Sequence, residues 1–130
     1  MTFPWQVNFF NPPKYAHRLS FKGAVSSLAQ FNLTNDSLVG LEIEYMYLEW
    51  PALLGLFNAS LDVVNFANGG DPSSPTEFPD DIGWFNTVDD RTVPPKTTSL
   101  LEFTFGDNAV ETGYFLIVRF TNGVELSVVV

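Results

Sequence analysis

No stretch of ten or more residues in this chain carries a helical stripe; apolar residues recur instead at every second position, in short runs separated by Asn, Gly, Pro and Ser. A period of two places alternate side chains on opposite faces of an extended backbone, the pattern of a half-buried β-strand. Leu101, Phe103 and Phe105 alternate in this way with Leu100, Glu102 and Thr104. Downstream, the runs 113–121 and 124–130 flank Asn122-Gly123, and two registers compete. A two-residue Asn-Gly turn would pair Phe120 with Glu125 and mix polar with apolar residues on both faces. A three-residue Thr121-Asn122-Gly123 loop, with Gly123 in the left-handed region, pairs Phe120 with Val124, Val118 with Leu126, Leu116 with Val128 and Tyr114 with Val130. It also sets Arg119 beside Glu125. Only this register yields a clean apolar face and an ion pair, so it is the one expected.

The same reading extends upstream. Val25, Ala29, Phe31 and Leu33 share one face, with Leu28, Gln30, Asn32 and Thr34 on the other, and Asn35-Asp36-Ser37 reads as a turn. Leu41, Ile43, Tyr45 and Tyr47 alternate with Glu42, Glu44, Met46 and Leu48 until Trp50-Pro51. Residues 52–57 read as a loop and 58–66 as one strand, stopped by Asn68-Gly69-Gly70-Asp71-Pro72. Gly69 to Lys96 holds five of the nine prolines and six acids, too many breakers for an ordinary connection. Within it, Ile82-Gly83-Trp84-Phe85 reads as a short strand or a plug over the core. Short strands with turn signals between them predict an all-β, antiparallel, immunoglobulin-like β-sandwich. The 130 residues divide into an N-terminal strand arm with a Pro-rich linker over 1–22 and a sandwich domain over 23–130.

Charge is uneven along the chain. Residues 1–35 carry Lys14, Arg18 and Lys22 and no acid, for +3, whereas 36–130 carry three basic residues against all fifteen acids, for −12. In the leader, Phe3, Trp5, Val7 and Phe9 alternate with Thr2, Pro4, Gln6 and Asn8 before Pro12-Pro13 breaks the strand. These four apolar residues form a candidate self-assembly arm. Burying them yields roughly 6–12 kcal/mol, against roughly 9–18 kcal/mol to order nine backbone residues. The arm therefore needs ladder hydrogen bonds from a free sheet edge, its own or a neighbour's, and the expected partner is a homo-oligomer or filament neighbour.

The ordered set Phe31-Asn32-Leu33-Thr34-Asn35, Trp50-Pro51, Asn58 to Val63, Trp84, Asp90-Arg91-Thr92-Val93, Leu101-Glu102-Phe103-Thr104-Phe105, Tyr114 and Phe120-Thr121-Asn122-Gly123 resembles a bacterial extracellular β-sandwich domain of cell-surface and pilin-like proteins. The likeness covers about residues 25–130. It implies an extracellular or cell-surface location and a structural or adhesive role, with no catalytic residues to carry over.

The residues themselves say little of catalysis. His17 is the one imidazole and no Gly-x-Ser-x-Gly elbow is present. Asp80-Asp81 and Asp89-Asp90 could supply paired carboxylates, but Asp-rich turns are ordinary, and Asp90-Arg91 reads as an ion pair beside a strand. A formal charge of −9 repels nucleic-acid phosphates and anionic lipid, and no apolar run reaches the roughly 18 residues of a membrane helix. No cofactor is expected. Calcium is the one metal the ligand types suit, through Asp71, Glu77, Asp80, Asp81, Asp89 and Asp90, although Asp-x-Asp-x-Asp-Gly spacing is missing. Trp50, Trp84 and Phe85 are candidates for stacking on a glycan, set against the ordinary use of aromatics in a sandwich core. Asn32, Asn35 and Asn58 fit glycosylation acceptors. The leading expectation is a non-enzymatic extracellular structural or assembly domain acting through strand edges and apolar contacts. A carbohydrate-binding or adhesion module comes second, and a viral or phage surface domain third.

Overall fold

The computed structural model describes residues 17–51, 54–69, 73–85 and 87–130. Strands β1 (Arg18–Val25), β2 (Leu28–Asn35), β8 (Thr97–Phe105), β4 (Leu56–Leu61) and β5 (Val64–Asn68) lie in that order in one antiparallel sheet. The second antiparallel sheet runs β10 (Glu125–Val129), β9 (Phe115–Phe120), β3 (Leu41–Glu49), β6 (Thr76–Phe78), with β7 (Thr92–Val93) also pairing β3. Among the described residues there is no α-helix, only a short 3-10 helix over Val88–Arg91. Neither sheet closes on itself, and their inner faces enclose one core, so the chain is an all-β, sandwich-like fold.

The alternation read from the sequence builds that core. Ala29, Phe31 and Leu33 from β2 and Leu101, Phe103 and Phe105 from β8 are buried against Leu116, Val118 and Phe120 from β9. Phe31 is an aromatic hub, with ring centroids 5.2 Å from Phe21, 5.8 Å from Phe103 and 6.2 Å from Tyr114. Val25, expected on this face, is exposed at the tip of the β1–β2 hairpin, after a register shift between Phe21 and Gly23. The first sheet begins at Arg18, inside the stretch read as linker. Arm residues Phe3, Trp5, Val7 and Phe9 lie outside the described residues.

The last hairpin has the expected register: Arg119 opposes Glu125, Val118 opposes Leu126 and Leu116 opposes Val128. Phe120 N donates to Val124 O at 2.9 Å, and Gly123 has φ +90°. A Cβ at Gly123 would meet nothing within 4 Å, so the whole cost of a side chain there is conformational. Gly123→Val is expected to lose about 1–2 kcal/mol, read as a lower urea midpoint with an unchanged slope. An unchanged midpoint would contradict this turn geometry.

Two strand assignments need correction. Residues 58–66 are not one strand: β4 and β5 are joined by a tight turn in which Asp62 and Val63 have φ +49° and +63°. A β-branched residue disfavours that region, so the sequence carries no turn signal. Tertiary contacts hold the turn instead. Asp62 accepts from Ser99 Oγ at 2.6 Å and from Leu100 N at 2.9 Å, while Asp62 N donates to Leu100 O at 2.8 Å. The second correction concerns β3. Ile43 pairs Phe120 and Tyr45 pairs Arg119, so two steps on β3 match one on β9, and Glu44 is the extra residue of a β-bulge. One extra residue flips every later side chain. Met46 and Leu48 therefore enter the core with Leu41 and Ile43, and Tyr45 and Tyr47 turn outward.

Candidate functional site

Because β3 flips, the outer faces of the two sheets differ in chemistry. On the first sheet the outward residues of β2 and β8 are mostly amides and hydroxyls, with Gln30 Nε2 donating to Glu102 Oε2 at 2.7 Å and Thr34 bonded to Thr98 at 2.9 Å. On the second, β10, β9 and β3 present Glu125, Arg119 and Tyr45 in one row, Ser127, Ile117 and Tyr47 in the next, then Val129, Phe115 and Glu49. Glu77 of β6 lies beside Tyr47. The result is a sheet face with an aromatic and aliphatic centre and a charged rim.

Its electrostatics are specific. The Arg119 guanidinium lies 4.4 Å from the Tyr45 ring centroid, with Nε 3.1 Å from Glu44 and Nη1 3.9 Å from Glu125. The Arg119–Glu125 pair is the one expected from the hairpin register. Tyr45 donates its hydroxyl to Glu77 Oε2 at 2.6 Å, and Tyr47 donates to Glu49 Oε2. The Tyr47 and Phe115 rings meet edge to face with centroids 5.9 Å apart. Burial, then the hydrogen bond to Glu77, pushes the Tyr45 phenol up to about 12; the bond to Glu49 is the main cause raising Tyr47. A raised folded value means that the Tyr45 contribution to stability is full below the usual phenol range and is lost as pH rises through about 12. Ultraviolet titration of phenolate should show Glu77→Gln ionising at lower pH than the parent chain. Superimposable curves would mean that the Tyr45–Glu77 bond does not exist in solution.

Among the described residues the four sheet edges are equally distinct. On β1, Lys22 and the bulge before Gly23 interrupt the edge, and Glu111 Oε1 accepts from Ala24 N at 3.2 Å. The edge of β5 is bridged by Trp84 at Ala67, and Phe85 N donates to Phe66 O at 3.1 Å. On β6, three residues long between Pro75 and Pro79, Asp81 accepts from Glu77 N at 2.9 Å and donates its own N–H to Glu77 O at 2.8 Å. Strand β10 has no Lys, Pro, Gly or bulge. The bonds Phe120 N to Val124 O and Val130 N to Tyr114 O fix its parity, turning the backbone groups of Glu125, Ser127 and Val129 away from β9. Among the described residues no hydrogen bond takes those groups up. Val129 is 76% exposed beside them.

No protein-family model and no curated protein matches the chain.

The aromatic candidates named from sequence are scattered. Trp50 is 4% exposed, tilted against Phe105 with centroids 5.8 Å apart, and its indole N–H donates to Leu54 O; it has no ring face to offer a glycan. Trp84 is half-buried, stacked on Phe78 at 6.1 Å with the Arg91 guanidinium 5.1 Å from its centroid. With Ile82 buried beside it, this piece is a plug at the β5 edge. Phe85 alone of the three is exposed. Among the acids of the 69–96 stretch, Asp81 and Asp90 are engaged locally and Glu77 accepts from Tyr45. Asp81 caps β6, and Asp90 accepts from Thr87 N and Oγ1 at 3.3 Å to begin the 3-10 helix. Arg91 pairs with Glu42 at 3.7 Å, not with its neighbour Asp90, and donates Nε to Ile43 O at 3.2 Å. Among the described residues no three His, Cys, Asp or Glu side chains come together; Asp71 lies outside them. His17 Nδ1 accepts from Asp36 N at 3.4 Å. Asn35 is fully buried, its amide donating to three carbonyls, so in the folded chain it is closed to glycosylation.

The tyrosine face escaped the sequence reading, although its signal is present. Apolar residues step by two from Leu41 to Ile43, by three to Met46, and by two again to Leu48 and Trp50. That single odd step marks the bulge.

Proposed function

We propose that this chain is a non-enzymatic extracellular structural domain that joins neighbouring copies by strand addition. One observation carries the reading: among the described residues three of the four sheet edges are interrupted or capped, and β10, next to β1, has no bulge and keeps outward backbone groups that no hydrogen bond takes up. An unguarded edge is a liability in a protein that does not use it. The leader strand with Phe3, Trp5, Val7 and Phe9 is the donor this edge calls for, since its alternation fits a ladder and the ladder supplies the bonds that apolar burial lacks. Donation between copies is head-to-tail, and its product is an open filament. The cell-surface location rests on the resemblance of the motifs over residues 25–130.

An immunoglobulin-like topology is part of this proposal. What supports it is the order β1-β2-β8-β4 in one sheet and β10-β9-β3 in the other, which parallels the seven-strand constant-type arrangement.

Ser127→Pro tests the assembly. Its N–H points away from β9, so proline removes an outward donor and spares the hairpin bonds. Sedimentation velocity should show the full chain associating with concentration, and both Ser127→Pro and a chain lacking residues 1–11 remaining monomeric. Three monomers, or three equal assemblies, would defeat the proposal.

A further inference from the structure

The outer face of the second sheet already holds one cation over one of its tyrosines. Arg119 lies above Tyr45 and between Glu44 and Glu125. One row along the strands the same parts recur without the cation. Tyr47 is flanked by Glu49, which its hydroxyl holds, and by Glu77 on the paired strand, with the Phe115 ring as a wall. The position opposite Tyr47 that corresponds to Arg119 is Ile117. Among the described residues the cations stacked on rings are Arg119 and Arg91, and Arg91 sits over Trp84.

We propose that this face binds a peptide segment bearing arginine or lysine, with the cationic head over Tyr47, between Glu49 and Glu77, and its aliphatic stem along Ile117 and Phe115. The Tyr45 row shows that this sheet geometry accommodates a guanidinium. Cation–π attraction selects a positive head, and the flanking carboxylates supply its counter-charge. Charge complementarity favours such a partner over a second copy laid face to face: Glu44, Glu49, Glu77 and Glu125 would oppose their own equivalents with one Arg119 per copy to offset them. A net charge of −9 also draws a basic segment in from a distance. This inference stands apart from strand addition at β10, which uses backbone groups and not this face.

The probes are hexa-arginine, and cellohexaose as an uncharged sugar, titrated into the full chain and followed by amide chemical shifts. Hexa-arginine is expected to move the amides of Tyr47, Glu49, Glu77 and Phe115 together. Tyr47→Leu, which leaves net charge unchanged, should weaken binding roughly two- to five-fold. Glu49→Gln should weaken it more than Asp107→Asn, which removes the same charge from the loop after β8 in the other sheet. Circular dichroism reports whether Tyr47→Leu is folded; if it is not, the comparison of Glu49→Gln with Asp107→Asn decides alone. Equal losses in those two variants would reduce the effect to general attraction and overturn the site. So would shifts elsewhere, no binding, or movement of the same amides by cellohexaose and not by hexa-arginine.

Discussion

Phe31→Ala is expected to remove about 3–5 kcal/mol of folding stability, the usual cost of emptying a fully buried phenylalanine site. Phe31 has no exposed surface, and its ring meets those of Phe21, Phe103 and Tyr114. These neighbours come from β1, β8 and the residue before β9, so both sheets border the cavity. Rigid aromatic walls on different strands cannot collapse together to fill it. Phe31→Leu, which keeps most of the volume and loses the edge-to-face contacts, should cost about 1–2 kcal/mol. Urea melts monitored by circular dichroism separate the two. Equal losses would mean that the site relaxes freely and that the ring is not a hub.

Asn35→Leu should cost about 3–4 kcal/mol, although the two side chains share one branched heavy-atom skeleton, because each buried polar group left unpaired costs about 1–3 kcal/mol. Asn35 Nδ2 donates to Val39 O at 2.7 Å, Val93 O at 3.0 Å and Pro94 O at 3.2 Å. Its Oδ1 accepts from Ser37 N at 2.9 Å and Ser37 Oγ at 2.7 Å. One amide thus ties the end of β2 to the following turn and to the segment around β7. Asn35→Asp keeps the acceptor and loses the donor, and an ionised carboxylate would face three carbonyl oxygens. It should be less destabilising in acid, where the carboxyl carries a proton, than at neutral pH. Thermal melts at both pH values check this, and a loss independent of pH would show that the carbonyls have found water.

Much of the sandwich was legible because local and long-range signals agreed. In β2 and β8 the alternation, the paired strand and the core face all give the same register, and in the last hairpin Gly123 supplied the turn as well. Legibility failed where tertiary contacts overrode local preference. Val63 holds a left-handed backbone conformation because Asp62 is fastened to Ser99 and Leu100, residues far away in sequence. Arg91 reaches Glu42 and Trp84 in preference to its neighbour Asp90 for a similar reason: the fold, not adjacency, decides which side chains meet. For the candidate surface, sequence composition pointed to tryptophans, whose large rings the core uses. The tyrosines became visible only through the phase of β3.

That phase rests on the bulge, so the middle of β3 can lose a residue where an ordinary strand cannot. Deleting Glu44 would take away a solvent-facing residue whose named contact is with Arg119, and it would leave Leu41, Ile43, Met46 and Leu48 at every second position of a regular strand, with Tyr45 and Tyr47 still facing outward. A single lost codon there would straighten the strand and keep the two sides of the sheet where they are.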